Sequence, residues 1–234
     1  MGIIDQLIDF DKNLLLCLNS YHTPLWDNFF WITTQTITWV PLYVTLAYIF
    51  IKNHSLRGIW FLVFAGLLIL LCDQISSGFF KPFFERYRPS HDPFIKDAVH
   101  ILHNKKGGMY GFVSSHATNS FGLAVYLSLI FRNRWFNIVI FSWAAIFSYS
   151  RIYLGLHYPG DIVGGALLGM ILGRIVYGLF IHFSPRFIFI SHHNIRTLKK
   201  GLAESISIHS VNLTTYAVLM IFVIVFISSK VLLK

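Results

Sequence analysis

"GIWFLVFAGLLILLCDQISSGFFKPFFERYRPS", residues 58–90, decides the fold. Residues 58–80 carry a single charge, Asp73, and then Lys81, Glu85, Arg86 and Arg88 follow within eight residues. A hydrocarbon core about 30 Å thick needs roughly 20 apolar residues per helix, so the run reads as a membrane span ending in a charged cluster. An ordinary loop would turn around there. The charge therefore asks for a chemical reason.

Working outward, 55% of the 234 residues are hydrophobic and 12% are charged, with a mean hydropathy of +0.61. Soluble domains carry about 25% charged residues, so the class is a polytopic membrane protein. Six segments read as spans: Trp26–Ile51, Leu56–Phe80, His116–Phe131, Phe136–Tyr153, Asp161–Phe183 and Tyr216–Leu233. The expected architecture is all-α, a membrane helical bundle of about six transmembrane helices. Residues 3–18 add an amphipathic helix lying in the interface, with Ile3, Ile4, Leu7, Ile8, Leu14, Leu15 and Leu18 on one stripe. The chain reads as a single domain over 1–234, with a core at 20–183, a polar connector at 184–213 and a last helix at 214–233.

The acidic start "MGIIDQLIDFDKN" lacks the basic region of a cleavable signal. Cys17 and Cys72 form no disulfide framework and no metal-ligand spacing. The net charge of +9 points away from nucleic acid once its distribution is read. Lys52, Arg57, Arg132, Arg134, Arg186, Arg196, Lys199 and Lys200 fall in three connectors on one side of a six-helix count, opposed only by Glu204. The positive-inside rule makes that side cytoplasmic, although Lys230 and Lys234 run against it. The expected location is the inner, cytoplasmic membrane, with the 73–115 loop facing the periplasm or outside.

Three short stretches fall on that outer face. In a continuous helix, the spacing of Lys81 and Arg88 puts both on one side about two turns apart, and Pro89 ends the segment. Glu85 stands four residues after Lys81 and offers a simple ion pair instead. "GFVSSHATNS", residues 111–120, places Ser114 and Ser115 at a helix N-cap and His116 in the first turn. Free N–H groups and the positive dipole end favour phosphate there. "SRIYLGLHYPGDIVGG", residues 150–165, carries Arg151, His157 and Asp161 around a Pro159-Gly160 turn. Asp161 can reach back to the imidazole and fix its tautomer, leaving the other nitrogen free. Gly164, Gly165, Gly169 and Gly173 read as close helix packing.

Each stretch alone fits a cap, a snorkelling cation or an interfacial histidine. Three coincidences on one face do not. The order K-x6-R-P, S-x-H, S-R-x5-H-x3-D resembles the type 2 phosphatidic acid phosphatase superfamily, which includes lipid phosphate phosphatases, bacterial acid phosphatases and vanadium haloperoxidases. The resemblance covers about residues 20–183, and "SYHTPLWDNFFWIT" resembles the bacterial membrane branch. One departure is plain: Val113-Ser114-Ser115-His116 stands where the family reads P-S-G-H.

That resemblance implies a phosphate clamp of Lys81, Arg88 and Arg151, with Ser114, Ser115 and nearby N–H groups completing the anion site. It implies His157 as nucleophile through a phosphohistidine, Asp161 as its orienter and His116 as proton donor to the leaving group. No cofactor or metal is expected; His100 with His103 and His192 with His193 offer no evident third ligand. The implied function is a lipid phosphatase acting on undecaprenyl diphosphate, a lipid A phosphate, phosphatidylglycerol phosphate or phosphatidic acid. Two alternatives are a lipid phosphotransferase on the same scaffold and a non-catalytic transporter. Transporters hold ionisable groups near the midplane, whereas these lie at helix ends.

Overall fold

The computed structural model describes residues 2–54, 58–188 and 208–233. The described elements are helical: α1 (Ile3–Ser20), α2 (Pro24–Thr33), α3 (Val40–His54), α4 (Gly58–Asp73), α5 (Lys81–Phe84), α6 (Ser115–Phe131), α7 (Arg134–Tyr153), α8 (Pro159–Ile188) and α9 (Ile208–Val231). A π-type stretch, Gln74–Phe80, joins α4 to α5, so Gly58–Phe84 is continuous over 27 residues.

Gly58–Phe84, Pro159–Phe183 and Ile208–Val231 are long and apolar enough to cross a membrane. The chain is a multi-pass membrane protein. The expected first span is instead a bent pair, Pro24–Thr33 and Thr36–Lys52, meeting at 68°. The break has a local cause. Thr38 Oγ1 donates to the Ile32 carbonyl (2.6 Å) and Trp39 Nε1 donates to the Thr33 carbonyl (2.9 Å). Side chains thus take the carbonyls that a continuing helix would use.

α6 and α7 stand at the expected third and fourth places but fall short of the same length and apolarity test. In α6 the polar Thr118 and Ser120 are buried among neighbouring helices. α6 is the central helix, packing most extensively on α8 and also on α4 and α7. At the α6–α8 crossing a Cβ on Gly169 would overlap the Thr118 carbonyl, so the small residue sets the helix separation.

The last helix begins at Ile208, earlier than the expected residue 214. Its first polar residues are satisfied inside the helix: Thr214 Oγ1 donates to the Ser210 carbonyl (3.0 Å) and Thr215 Oγ1 to the Val211 carbonyl (2.8 Å). Most of the expected 184–213 connector, with His192 and His193 and the cations Arg196, Lys199 and Lys200, lies outside the described residues, as does Arg57.

α1 matches its expected amphipathic character. Ile3, Ile4, Leu7, Ile8 and Phe10 are exposed, while Leu15 packs with Val99, Ile152 and Tyr158. Asn19 fastens its end, donating to the Tyr153 carbonyl (2.7 Å) and accepting from the His100 N–H (2.7 Å). His100 stacks on His22 with centroids 3.9 Å apart, and His103 packs on Trp31 at 4.5 Å.

Candidate active site

Lys81 and Arg88 do not share a helix face, contrary to the spacing argument. α5 stops at Phe84 because Glu85 turns left-handed (φ 46°), its N–H closing on the Lys81 carbonyl at 3.0 Å. The chain then runs extended. Arg88 N–H donates to the Met109 carbonyl (2.9 Å) and Gly111 N–H to the Arg86 carbonyl (2.8 Å), pairing Tyr87 with Tyr110. Lys81 therefore arrives from a helix and Arg88 from a strand-like segment. Among the described residues Glu85 forms no ion pair with Lys81.

His157 lies in the short link between α7 and α8 and is buried. Its Nδ1 sits 3.2 Å from Asp161 Oδ2, and the Tyr158 N–H also donates to that oxygen at 3.1 Å. Asp161 occupies the first turn of α8 and reaches back across Pro159-Gly160, as expected. On the other side Arg88 Nη1 approaches His157 Nε2 at 2.9 Å and also donates to the Leu156 carbonyl at 3.1 Å. A guanidinium can only donate, so Nε2 accepts and Nδ1 carries the proton toward Asp161. The lone pair on Nε2 faces the cation.

The other predicted residues gather around this pair. Arg151 is buried and Nη1 donates to Thr34 Oγ1 at 2.6 Å, while its Nε has no hydrogen-bond partner among the described residues. Lys81 Nζ donates to Ser115 Oγ (2.7 Å) and Ser77 Oγ (2.9 Å), and Ser76 Oγ donates to Ser115 Oγ as well (2.9 Å). The serine in the place of the family glycine thus holds a lysine. Ser114 is the N-cap of α6 by position, but its side chain makes no cap bond and its buried hydroxyl is unpartnered among the described residues. His116 stacks on Phe147 with centroids 5.4 Å apart and lies in the field of Arg151, His157, Arg88 and Lys81.

Burial holds the His157 imidazole well below its ordinary value of 6.5, and Arg88, Arg151 and Lys81 push it further down. A ring kept neutral keeps its lone pair. A cavity of about 370 Å³ is lined by His116, Asn119, Tyr43, Leu62, Trp143 and Phe147. It runs between helices and is mostly apolar.

Sequence reasoning missed five contributors. Thr34 anchors Arg151 across a long stretch of chain that no local motif spans. Ser76 and Ser77 anchor Ser115. A Cβ on Gly111 would lie 2.9 Å from Asp161 Oδ2 and 3.5 Å from His157 Nδ1, so the close approach requires glycine. Arg86, one of the charges in the 81–88 cluster, contacts Asp161 Oδ1 at 2.9 Å. An extended segment would have signalled it, since residues i and i+2 share a face and Arg88 points inward.

A profile of the PAP2 superfamily matches residues 59–185. The chain is 44% identical over 177 residues to a lipid A 4'-phosphatase of Bacteroides thetaiotaomicron, covering 75% of this chain and 79% of that protein. It is 39% identical over 186 residues to a lipid A 4'-phosphatase of Porphyromonas gingivalis, covering 79% of each. It is 26% identical over 160 residues to the undecaprenyl-diphosphatase BcrC of Bacillus subtilis, covering 68% of this chain and 77% of that protein. Among solved structures, a transmembrane PAP2-type phosphatidylglycerolphosphate phosphatase from Bacillus subtilis superposes with a TM-score of 0.56 at 21% identity. That likeness covers 74% of this chain and 86% of that one. The chain belongs to the PAP2 superfamily. It is an integral membrane lipid phosphatase, a phosphoric ester hydrolase acting on a lipid phosphate within the membrane.

Proposed function

We propose that the chain removes the 4'-phosphate of lipid A, through a phosphohistidine on His157. The observation that supports the chemistry is the line Arg88–His157–Asp161, which presents an unprotonated Nε2 beside a guanidinium. The choice of lipid rests on the two lipid A 4'-phosphatases, each aligned over 79% of its own length.

In this mechanism Lys81, Arg88 and Arg151 take the phosphate oxygens and carry the charge that spreads over them during transfer. Ser114, Ser115 and the free N–H groups at the start of α6 complete the anion site. His157 Nε2 attacks phosphorus in line; the P–N bond forms as the bond to the lipid oxygen breaks. His116 gives the leaving alkoxide its proton. Asp161 holds Nδ1–H and stabilises the positive ring. His116 then takes a proton from water, the resulting hydroxide attacks phosphorus, and inorganic phosphate leaves as the P–N bond breaks.

The site opens to the periplasm, from the inner membrane. Arg132 and Arg134 flank the α6–α7 turn, at the end of α6 opposite His116. At 1.5 Å per residue the 17 residues of α6 put these ends about 26 Å apart, close to a bilayer's thickness. Cations retained in such short connectors mark the cytoplasmic side.

Phosphate release is the test, measured with purified protein on lipid A, undecaprenyl diphosphate, phosphatidylglycerol phosphate and phosphatidic acid. Lipid A should give the highest kcat/KM, by about tenfold or more. Faster hydrolysis of undecaprenyl diphosphate would overturn the lipid assignment and leave the chemistry standing. Transfer to a second lipid alcohol without free phosphate would instead indicate a phosphotransferase.

A further inference from the structure

The carboxylate of Asp161 is fully buried and has two oxygens with different duties. Oδ2 serves His157 Nδ1 and the Tyr158 N–H. Oδ1 is held by Arg86 Nη1 at 2.9 Å, and Arg86 Nη2 reaches Asp11 Oδ2 of α1 at 2.7 Å. Asp11 is fixed in turn, since its Oδ1 accepts the Gly160 N–H at 2.8 Å in the first turn of α8. The guanidinium also lies over the Tyr158 ring, 4.1 Å from its centroid. Tyr158 is pinned through its hydroxyl to Asp92 (2.8 Å), which Lys12 of α1 meets at 3.0 Å.

We propose that Arg86, anchored by Asp11, is the positioning residue that sets the Asp161 carboxylate for His157, and that α1 thereby forms part of the catalytic framework. This rests on the roles given above to His157 and Asp161. Arg86 bonds Asp161, Asp11 and the Tyr158 ring, and among the described residues it makes no contact with Lys81, Arg88 or Arg151. Its planar fork spans two carboxylates at once, which a lysine cannot reproduce. A rotated carboxylate would release Nδ1 and loosen the ring that must attack in line, an error of the kind that costs about 10²-fold in rate. The exposed Ile3, Ile4, Leu7, Ile8 and Phe10 seat the helix that carries Asp11 at an apolar surface. The anchor is therefore tied to the membrane.

The test compares the full-length protein with Arg86→Gln, Arg86→Lys, Asp11→Asn and the double variant, reading kcat, KM and inhibition by inorganic phosphate. Inorganic phosphate, as a competitive inhibitor, reads the phosphate clamp in its ground state, without an aligned Nε2. Arg86→Gln should lower kcat about 10²-fold with KM and phosphate inhibition within about twofold, because only orientation is lost. Asp11→Asn should lower kcat about tenfold, and adding it to Arg86→Gln should cost nothing further, since both act through one carboxylate. Arg86→Lys should fall between wild type and Arg86→Gln. Weaker phosphate inhibition and a raised KM in Arg86→Gln would make Arg86 a phosphate ligand and overturn the proposal. Additive losses, or a kcat within threefold of wild type in both Arg86→Gln and Asp11→Asn, would also overturn it. If Arg86→Gln does not fold, Asp11→Asn decides by the same kcat and KM criterion. A fully active His157→Ala would instead sink the underlying mechanism, which separates the two failures.

Discussion

Arg88 donates from Nη1 to His157 Nε2 over 2.9 Å. In the proposed mechanism the guanidinium rests where phosphorus would arrive, and an incoming phosphate would have to draw it onto its oxygens before Nε2 attacks. Arg88 also donates to the Leu156 and Tyr110 carbonyls, so its fork is held from three directions. Arg88→Lys keeps the charge and loses that geometry. It should lower kcat/KM about 10² to 10³-fold in an otherwise inserted, folded protein. Phosphate release kinetics decide it, and a loss under threefold would contradict the clamp.

Gly111→Ala should act on the dyad and on the Arg88 side chain beside it. The added carbon would meet Asp161 Oδ2 at 2.9 Å and the Arg88 side chain at 3.2 Å. A rate loss of about 10²-fold is expected with the thermal midpoint little changed. Normal turnover in this variant would show that the 109–111 segment stands further from the dyad than described.

His157 should stay neutral as pH falls through 6.5. Burial, then Arg88, Arg151 and Lys81, disfavour its charged form, so the folded protein takes up that proton only well below 6.5. The unfolded chain takes it up near 6.5, so this group lowers stability as pH drops below that value. Removing one cation by Arg88→Ala should move the titration back toward 6.5. Nitrogen NMR of labelled histidine reads both the midpoint and the Nδ1–H tautomer. A midpoint at or above 6.5 in the unmodified protein would contradict the field described.

Much of this site was legible from three short stretches, because each motif is local. His157 and Asp161 stand four residues apart across a Pro-Gly turn, and their contact follows from that turn alone. The membrane class followed from composition, and the last helix from its apolar run. What failed was continuity. A helix was extended from Lys81 to Arg88, yet Glu85 breaks it, and side chains of Thr38 and Trp39 broke the expected first span. What stayed hidden was long-range: Thr34 to Arg151, Asp11 to Arg86 and Gly111 to Asp161 join residues far apart in sequence. No periodicity encodes such contacts.

Orientation can be read directly by labelling. With Cys17 and Cys72 removed, single cysteines at Asn104 and Asn133 should differ toward an impermeant thiol reagent on intact spheroplasts. Asn104 lies on the catalytic side and Asn133 caps α7 in the basic turn opposite. Labelling at 104 alone is expected from the arginines beside 133. The reverse pattern would place the site in the cytoplasm and exclude lipids presented outside.

The central claim is that phosphate passes through His157 Nε2. Rapid acid-free quenching of the enzyme with radiolabelled lipid phosphate, followed by peptide mapping, tests it most directly. The expected result is an alkali-stable, acid-labile phosphoryl group on His157, absent from His157→Ala, whose phosphate release should fall to background. Asp161→Asn should form the same adduct more slowly, on the order of 10⁴-fold, the scale seen when a carboxylate no longer holds a catalytic histidine's tautomer. A phosphoryl group on another residue, or normal turnover in His157→Ala, would contradict the account.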